Sequence, residues 1–107
     1  MLRIYQDAVA MCRDAGEVAR RVERFDADLA RQLRRAASSV ALNIAEGSGS
    51  YRRNRVQRYH TALGSAREVV ACFDVAEAMY MPPVDARVRK RLDVILGTLT
   101  NVLRLRR

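Results

Sequence analysis

Apolar residues recur at steps of three and four along most of the chain, in four runs separated by short breaks. That is the period of a helix with one buried face. In the first run Ile4, Ala8, Met11, Ala15, Val18, Val22 and Phe25 form one stripe, and Tyr5, Val9, Cys12, Gly16 and Ala19 form a second beside it. The spacing predicts a helix from about Leu2 to Phe25, with Asp26 as N-cap of the next. A second helix is expected over Ala27–Glu46, closed by the Gly47–Ser50 turn with Gly47 in a left-handed C-cap position. A third is expected from near Asn54, where Gln57 completes a capping box, to about Met81. Pro82-Pro83 stops it. A fourth begins between Pro83 and Asp85 and runs nearly to the C-terminus on Val84, Val88, Leu92, Ile95, Leu99 and Val102. Short turns make successive helices antiparallel, so the pattern predicts one all-α domain over residues 1–107, an up-down-up-down four-helix bundle.

The second helix has two unlike faces. Leu29, Leu33, Ala37, Val40 and Ile44 line an apolar side, whereas Gln32, Ala36, Ser39, Asn43 and Glu46 form a stripe of small and polar residues. Such a stripe allows close helix approach and offers hydrogen bonds across a helix or subunit seam. A buried Glu46 would need a cationic partner. Arg35, eleven residues away, is too far to pair with it along the helix, so any such bond lies between helices or subunits. Helices one and three each carry two apolar stripes, more than a monomeric bundle uses, which predicts an exposed patch covered by a second copy.

Composition narrows the chemistry. With 107 residues, few Gly, two Pro and no Trp, the chain suits a single helical domain. Cys12 and Cys72 fall on apolar helical positions and read as reduced core thiols. No Cys/His spacing suggests a metal site, no catalytic set is visible, and no cofactor is expected. No apolar run is long enough to cross a membrane, and acidic residues interrupt the N-terminal run, so a cytoplasmic location is expected.

The formal net charge is +8, and Lys90 is the only lysine. Residues 1–50 are near balance, whereas residues 82–107 carry seven basic residues against Asp85 and Asp93. Arg52, Arg53, Arg55 and Arg58 crowd the start of helix three. Cations oppose the dipole of a helix N-terminus, and that end suits a phosphate. Tyr51, Tyr59 and His60 interleave with them and are candidates for stacking on bases. Arg87, Arg89, Lys90 and Arg91 form a second candidate phosphate cluster. Arg104, Arg106 and Arg107 sit at a helix C-terminus, where the dipole already favours them. A lone His60 without a paired acid reads as structural, not as a general base.

The block from Gln32 to Gly47, with Gly64, Ser65 and Glu68, resembles the 23S rRNA intervening-sequence protein family of four-helix bundles. The matching residues are Gln32, Leu33, Arg34, Arg35, Ala36, Ser39, Asn43, Ile44, Ala45, Glu46 and Gly47. Val40 stands in place of the usual isoleucine, and Ala41 where the family often has proline. The resemblance implies a bacterial homo-oligomer such as a pentamer, with no established biochemical activity. It extends to the accessory variability determinant protein of diversity-generating retroelements, a basic pentamer that binds a reverse transcriptase and nucleic acid. The function expected is therefore non-catalytic binding of RNA or DNA by a basic homo-oligomer, structured RNA above all. The alternative is an oligomeric scaffold for a protein partner, with no direct nucleic-acid role.

Overall fold

The computed structural model describes residues 2–105, without the side chains of Leu2, Arg52 and Leu105. Four helices account for nearly all of it: α1 (Leu2–Val22), α2 (Ala27–Ser48), α3 (Arg52–Met79) and α4 (Ala86–Leu105). The molecule measures 42 × 23 × 21 Å, and its long dimension is the length of α3, 28 residues at about 1.5 Å each. Successive helices run antiparallel. Between α2 and α3, Ser39 meets Ser65 while Ser48 meets Tyr59. Between α1 and α4, Asp14 meets Arg91 while Asp7 and Thr98 line one depression. Among the described residues α2 packs on α1 and α3 and makes no direct packing with α4, which lies across the bundle from it.

The two helical pairs are packed differently. On α2, Ala30, Ala36, Ala37 and Ala41 are buried, facing α1 and α3, and α3 contributes Ala62 and Ala66. On α4 the buried residues are Leu92, Ile95, Leu99 and Leu103. Small side chains bring backbones together, whereas Leu and Ile hold α4 at a more ordinary separation. A tight approach occurs at Gly47. A Cβ there would lie 2.5 and 2.8 Å from two ring carbons of Tyr59. Gly47 is inside α2 and no described glycine has a positive φ, so it is a packing glycine and not the left-handed cap expected from the sequence. Tyr59 fills the space as one of the largest fully buried side chains, which removes it from the stacking candidates.

The helix ends explain the remaining differences in boundary. α1 stops at Val22, and Phe25 lies in the turn, stacked on Tyr80 with centroids 5.8 Å apart and planes at 4°. Asp26 caps α2 by accepting from Leu29 N–H at 2.9 Å, and its other oxygen accepts the Tyr80 hydroxyl at 2.8 Å. One carboxylate thus ties the start of α2 to the end of α3. At the other end, α2 runs on to Ser48 because its last carbonyls find side-chain donors. Arg55 Nε–H donates to Gly47 O (3.3 Å), and Ser50 Oγ donates to Glu46 O (2.6 Å). α3 begins at Arg52 with Tyr51 as an N-cap that offers no side-chain bond. Asn54 is therefore helical, and the capping box with Gln57 is not formed.

The second apolar stripe of α3, Ala62, Ser65, Val69, Cys72, Ala76 and Met79, is mostly spent inside the subunit, since Ala62, Val69, Cys72 and Ala76 are buried. Each of these two helices leaves part of its second stripe in the open, α1 at Tyr5 and α3 at Met79.

Gly47→Ala tests the α2–α3 contact. Helix propensity alone favours alanine by about 1 kcal/mol, but displacing a buried tyrosine ring costs about 1–3 kcal/mol. The variant should melt below the wild-type protein in thermal or urea unfolding. A higher melting temperature would show that Tyr59 does not need the glycine.

Candidate nucleic-acid interface

Most of the basic residues singled out in the sequence have structural partners. Arg55 closes the C-terminus of α2 through Gly47 O and Ser50 O. A cation at that point is favoured by the α2 dipole, although it is disfavoured by that of its own helix. Arg58 pairs with Glu46 at 2.8 Å and reaches Asn43 Oδ1 at 3.4 Å. Arg89 bridges Asp74 (3.0 Å) and Glu77 (2.9 Å) and lies over the Phe73 ring at 5.5 Å. Arg91 holds the largely buried Asp14 at 2.7 Å and fastens α4 to α1. Arg87 lies only loosely beside its cap residue, with its Nε 3.7 Å from Asp85 Oδ1. Lys90 and Arg53 are exposed and form no ion pair among the described residues. The side chain of Arg52, and all of Arg106 and Arg107, lie outside the described residues.

The polar stripe of α2 is only partly a seam. Ser39 Oγ shares a 2.8 Å hydrogen bond with Ser65 Oγ, and Asn43 Nδ2 donates to Ser39 O and Oγ at 2.8 and 3.1 Å. Those two residues, with Arg58, form a short polar row between α2 and α3. Gln32 lies outside it, donating to Asp28 on its own helix. Arg35 is exposed and pairs with no acid among the described residues. Glu46 is not buried as its stripe suggested: its side chain is 54% exposed. A half-exposed pair of this kind contributes about 0–1 kcal/mol, so Glu46 cannot be a main support of the fold.

Antiparallel packing sorts the charge along the long axis. The half of the bundle with the α2–α3 turn comprises residues 2–12, 38–65 and 96–105. Its bases are Arg3, Arg52, Arg53, Arg55, Arg58 and Arg104, and its only acids are Asp7 and Glu46. The other half, residues 13–37 and 66–95, carries twelve basic and ten acidic residues. The two clusters named from the sequence therefore occupy opposite ends, and the Arg52–Arg58 cluster joins Arg3 and Arg104 instead. The balanced half still holds a basic depression of about 450 Å³, lined by Arg20, Arg21, Arg24, Phe25, Tyr80, Met81 and Pro82. Arg24 lies over Phe25 at 4.7 Å, and Arg20 pairs with Glu17. Sequence reasoning passed over these arginines because acids balance them locally.

Among the described residues no group of His, Cys, Asp and Glu could hold a metal ion. No helix is long and apolar enough to cross a membrane. Both cysteines are free, with burial pushing each thiol up. Cys12 Sγ donates to Ala37 O at 3.3 Å.

The α3–α4 turn predicts a measurable pH response. Glu77 accepts from Val84 N–H at 2.7 Å, and this bond, followed by Arg89, holds its carboxyl below the usual range. A depressed folded value stabilises above the ordinary glutamate pKa of about 4.3 and is lost as pH falls through the lower folded value. Glu77→Gln should therefore melt lower than wild type at neutral pH. The difference should shrink as both are acidified below about pH 4. A gap independent of pH in melting experiments would sink this account.

A family model, 23S rRNA-intervening sequence protein, matches residues 1–94, which takes in α1, α2, α3 and the first half of α4. No curated protein and no solved structure matches the chain. The chain belongs to the 23S rRNA-intervening sequence protein family.

Proposed function

We propose that this protein is a non-catalytic, homo-oligomeric bundle that binds nucleic acid, structured RNA above all, through backbone charge at its α2–α3 turn end. The observation that carries the reading is the charge polarity. Arg3, Arg53 and Arg104 meet no acid in an ion pair among the described residues, and only Asp7 and Glu46 oppose that end. Unneutralised arginines in a cluster attract phosphates whatever the base sequence, and binding falls with salt as counterions are no longer released. Arg55 and Arg58 add field there, though their side chains are held by the fold. Arg87 and Lys90 occupy the opposite, balanced end and are a lesser footprint.

Self-association is supported by the outer side of α2. Leu42 is 60% exposed, with Ser38 and Ala45 exposed on the same side, and Tyr5 is exposed on the stripe of α1 that also holds Cys12, which bonds to α2. A large apolar residue set among small ones is a surface a second subunit can cover. Partner protein binding on the same surface, with no RNA bound, is the competing reading.

Two measurements test these statements. In RNA titrations at several salt concentrations, Arg3→Gln with Arg53→Gln should lower the steepness of log K against log salt by about two. Arg87→Gln with Lys90→Gln should change it less. No binding at low salt, or equal effects from the two ends, overturns the nucleic-acid reading. In light scattering the wild-type chain should exceed its monomer mass of 12.1 kDa several-fold, and Leu42→Glu should return it towards monomer without loss of helicity. A wild-type monomer at micromolar concentration removes the oligomer.

A further inference from the structure

A groove runs from the positive end into the middle of the bundle, and no structural role accounts for the whole of its rim. It lies between α3 and α4, with a volume of about 310 Å³, and is lined by Val56, His60, Leu63, Arg67, Thr100, Leu103 and Arg104. Val56, Leu63 and Leu103 give it an apolar floor, and Leu63 and Leu103 are buried. His60, Arg67 and Arg104 are exposed at its rim, and no acid lines it. None of the three takes part in an ion pair among the described residues. Arg55, Arg58, Arg89 and Arg91, by contrast, are each bound by carboxylates or helix carbonyls.

The α4 dipole accounts for Arg104 but not for Arg67, which sits in the middle of α3, where a helix end contributes nothing. Arg53, His60 and Arg67 follow one another at seven-residue steps. Two helical turns separate each from the next, so they share one side of α3, about 10 Å apart. Thr100 donates its hydroxyl proton to Leu96 O at 2.7 Å, which leaves only its lone pairs facing the groove. It can therefore accept from a ligand N–H or O–H but not donate to one.

We propose that this groove takes one unpaired nucleotide of a single-stranded nucleic acid. The base lies on Val56, Leu63 and Leu103, with His60 or the Arg67 guanidinium stacked against it. Its flanking phosphates meet Arg67 and Arg104. The volume is at the lower end of the range for small-molecule clefts, about 300–1,000 Å³. A base held in a duplex has no free face to present, and unpaired bases are the ones that stack on His and Arg planes. The inference rests on the nucleic-acid reading above and adds to it a preference for single strands.

The test uses the full chain, a short oligouridine and an RNA duplex of equal length, with binding read by fluorescence anisotropy. His60→Ala should weaken oligouridine binding by about fivefold or more, leaving duplex binding and the salt slope unchanged, since no charge at neutral pH is required for stacking. Arg67→Gln with Arg104→Gln should weaken oligouridine binding further. A strand carrying 5-bromouridine should photocrosslink within residues 56–67 or 100–104. If crosslinks fall elsewhere, or both variants bind oligouridine as the wild-type protein does, the groove is not the site. Salt-dependent binding that persists in that case leaves the broader reading standing. If the wild-type protein binds neither strand nor duplex at low salt, both fall together.

Discussion

The close approach of α2 to α3 is the constraint on which the rest of the bundle depends. Gly47 gives its side-chain volume to the Tyr59 ring, and small residues on both helices leave no bulk to hold them apart. Close packing then makes polar bonding possible within the seam: Ser39 reaches Ser65, and Asn43 fixes Ser39 from one turn away. Hydrogen bonds in a part-buried seam contribute roughly 1 kcal/mol each in net stability. Their geometric effect is larger, because each allows only one axial register of α2 against α3. A purely apolar seam tolerates sliding, whereas Ser39 opposite Ser65 does not.

That register decides which arginines are free. With Gly47 on Tyr59, Arg55 and Arg58 are carried back over the last turn of α2, where they meet Gly47 O, Ser50 O and Glu46. Residues that look like a phosphate cluster in one dimension become the closure of a helix C-terminus in three. The α3–α4 turn works in the same way. Pro82-Pro83 ends α3, the chain returns, and Glu77 accepts both Val84 N–H and Arg89. Several arginines in this chain, Arg55, Arg58, Arg89 and Arg91, are thus connectors between helices and not groups left over for a ligand.

The all-helical bundle, its four elements and their order were legible in the sequence because periodic apolar stripes, Asp26 and the Pro pair state them locally. The helix ends were less so. Gly47 followed by Ser48 and Gly49 reads as a cap, but its absent side chain serves a residue twelve positions away, and no local rule carries that information. The site was harder still. Arg89 and Arg91 find Glu77 and Asp14 on other helices, so whether an arginine is free depends on partners distant in sequence. Glu46 fell on a packing stripe and yet stands half exposed, paired with a similarly exposed Arg58 on α3. Arg53, His60 and Arg67 did carry a local signal, their seven-residue step, which apolar periodicity overshadows. Most of the apolar surplus of α3 is used within one subunit, because a helix in contact with both α2 and α4 buries most of two stripes, with Met79 left exposed.

Charge and apolar surface occupy different parts of the molecule, and this restricts how copies can combine. The excess of basic over acidic residues lies at one end of the long axis, whereas Leu42 and Ala45 lie on the side of α2. Lateral contact through that side covers apolar area and leaves the ends open. In a closed ring all subunits point the same way along the rotation axis. Bundles standing parallel to that axis would place every positive end on one face, where their fields add and draw in a polyanion. A two-fold axis perpendicular to the bundles would put the positive ends at opposite extremes and divide the field. The first arrangement sets like charges side by side, so it costs repulsion that an anionic ligand relieves. Under the proposed function, assembly and nucleic-acid binding would then be coupled: ligand would stabilise such a ring, and the ring would strengthen the field that binds ligand.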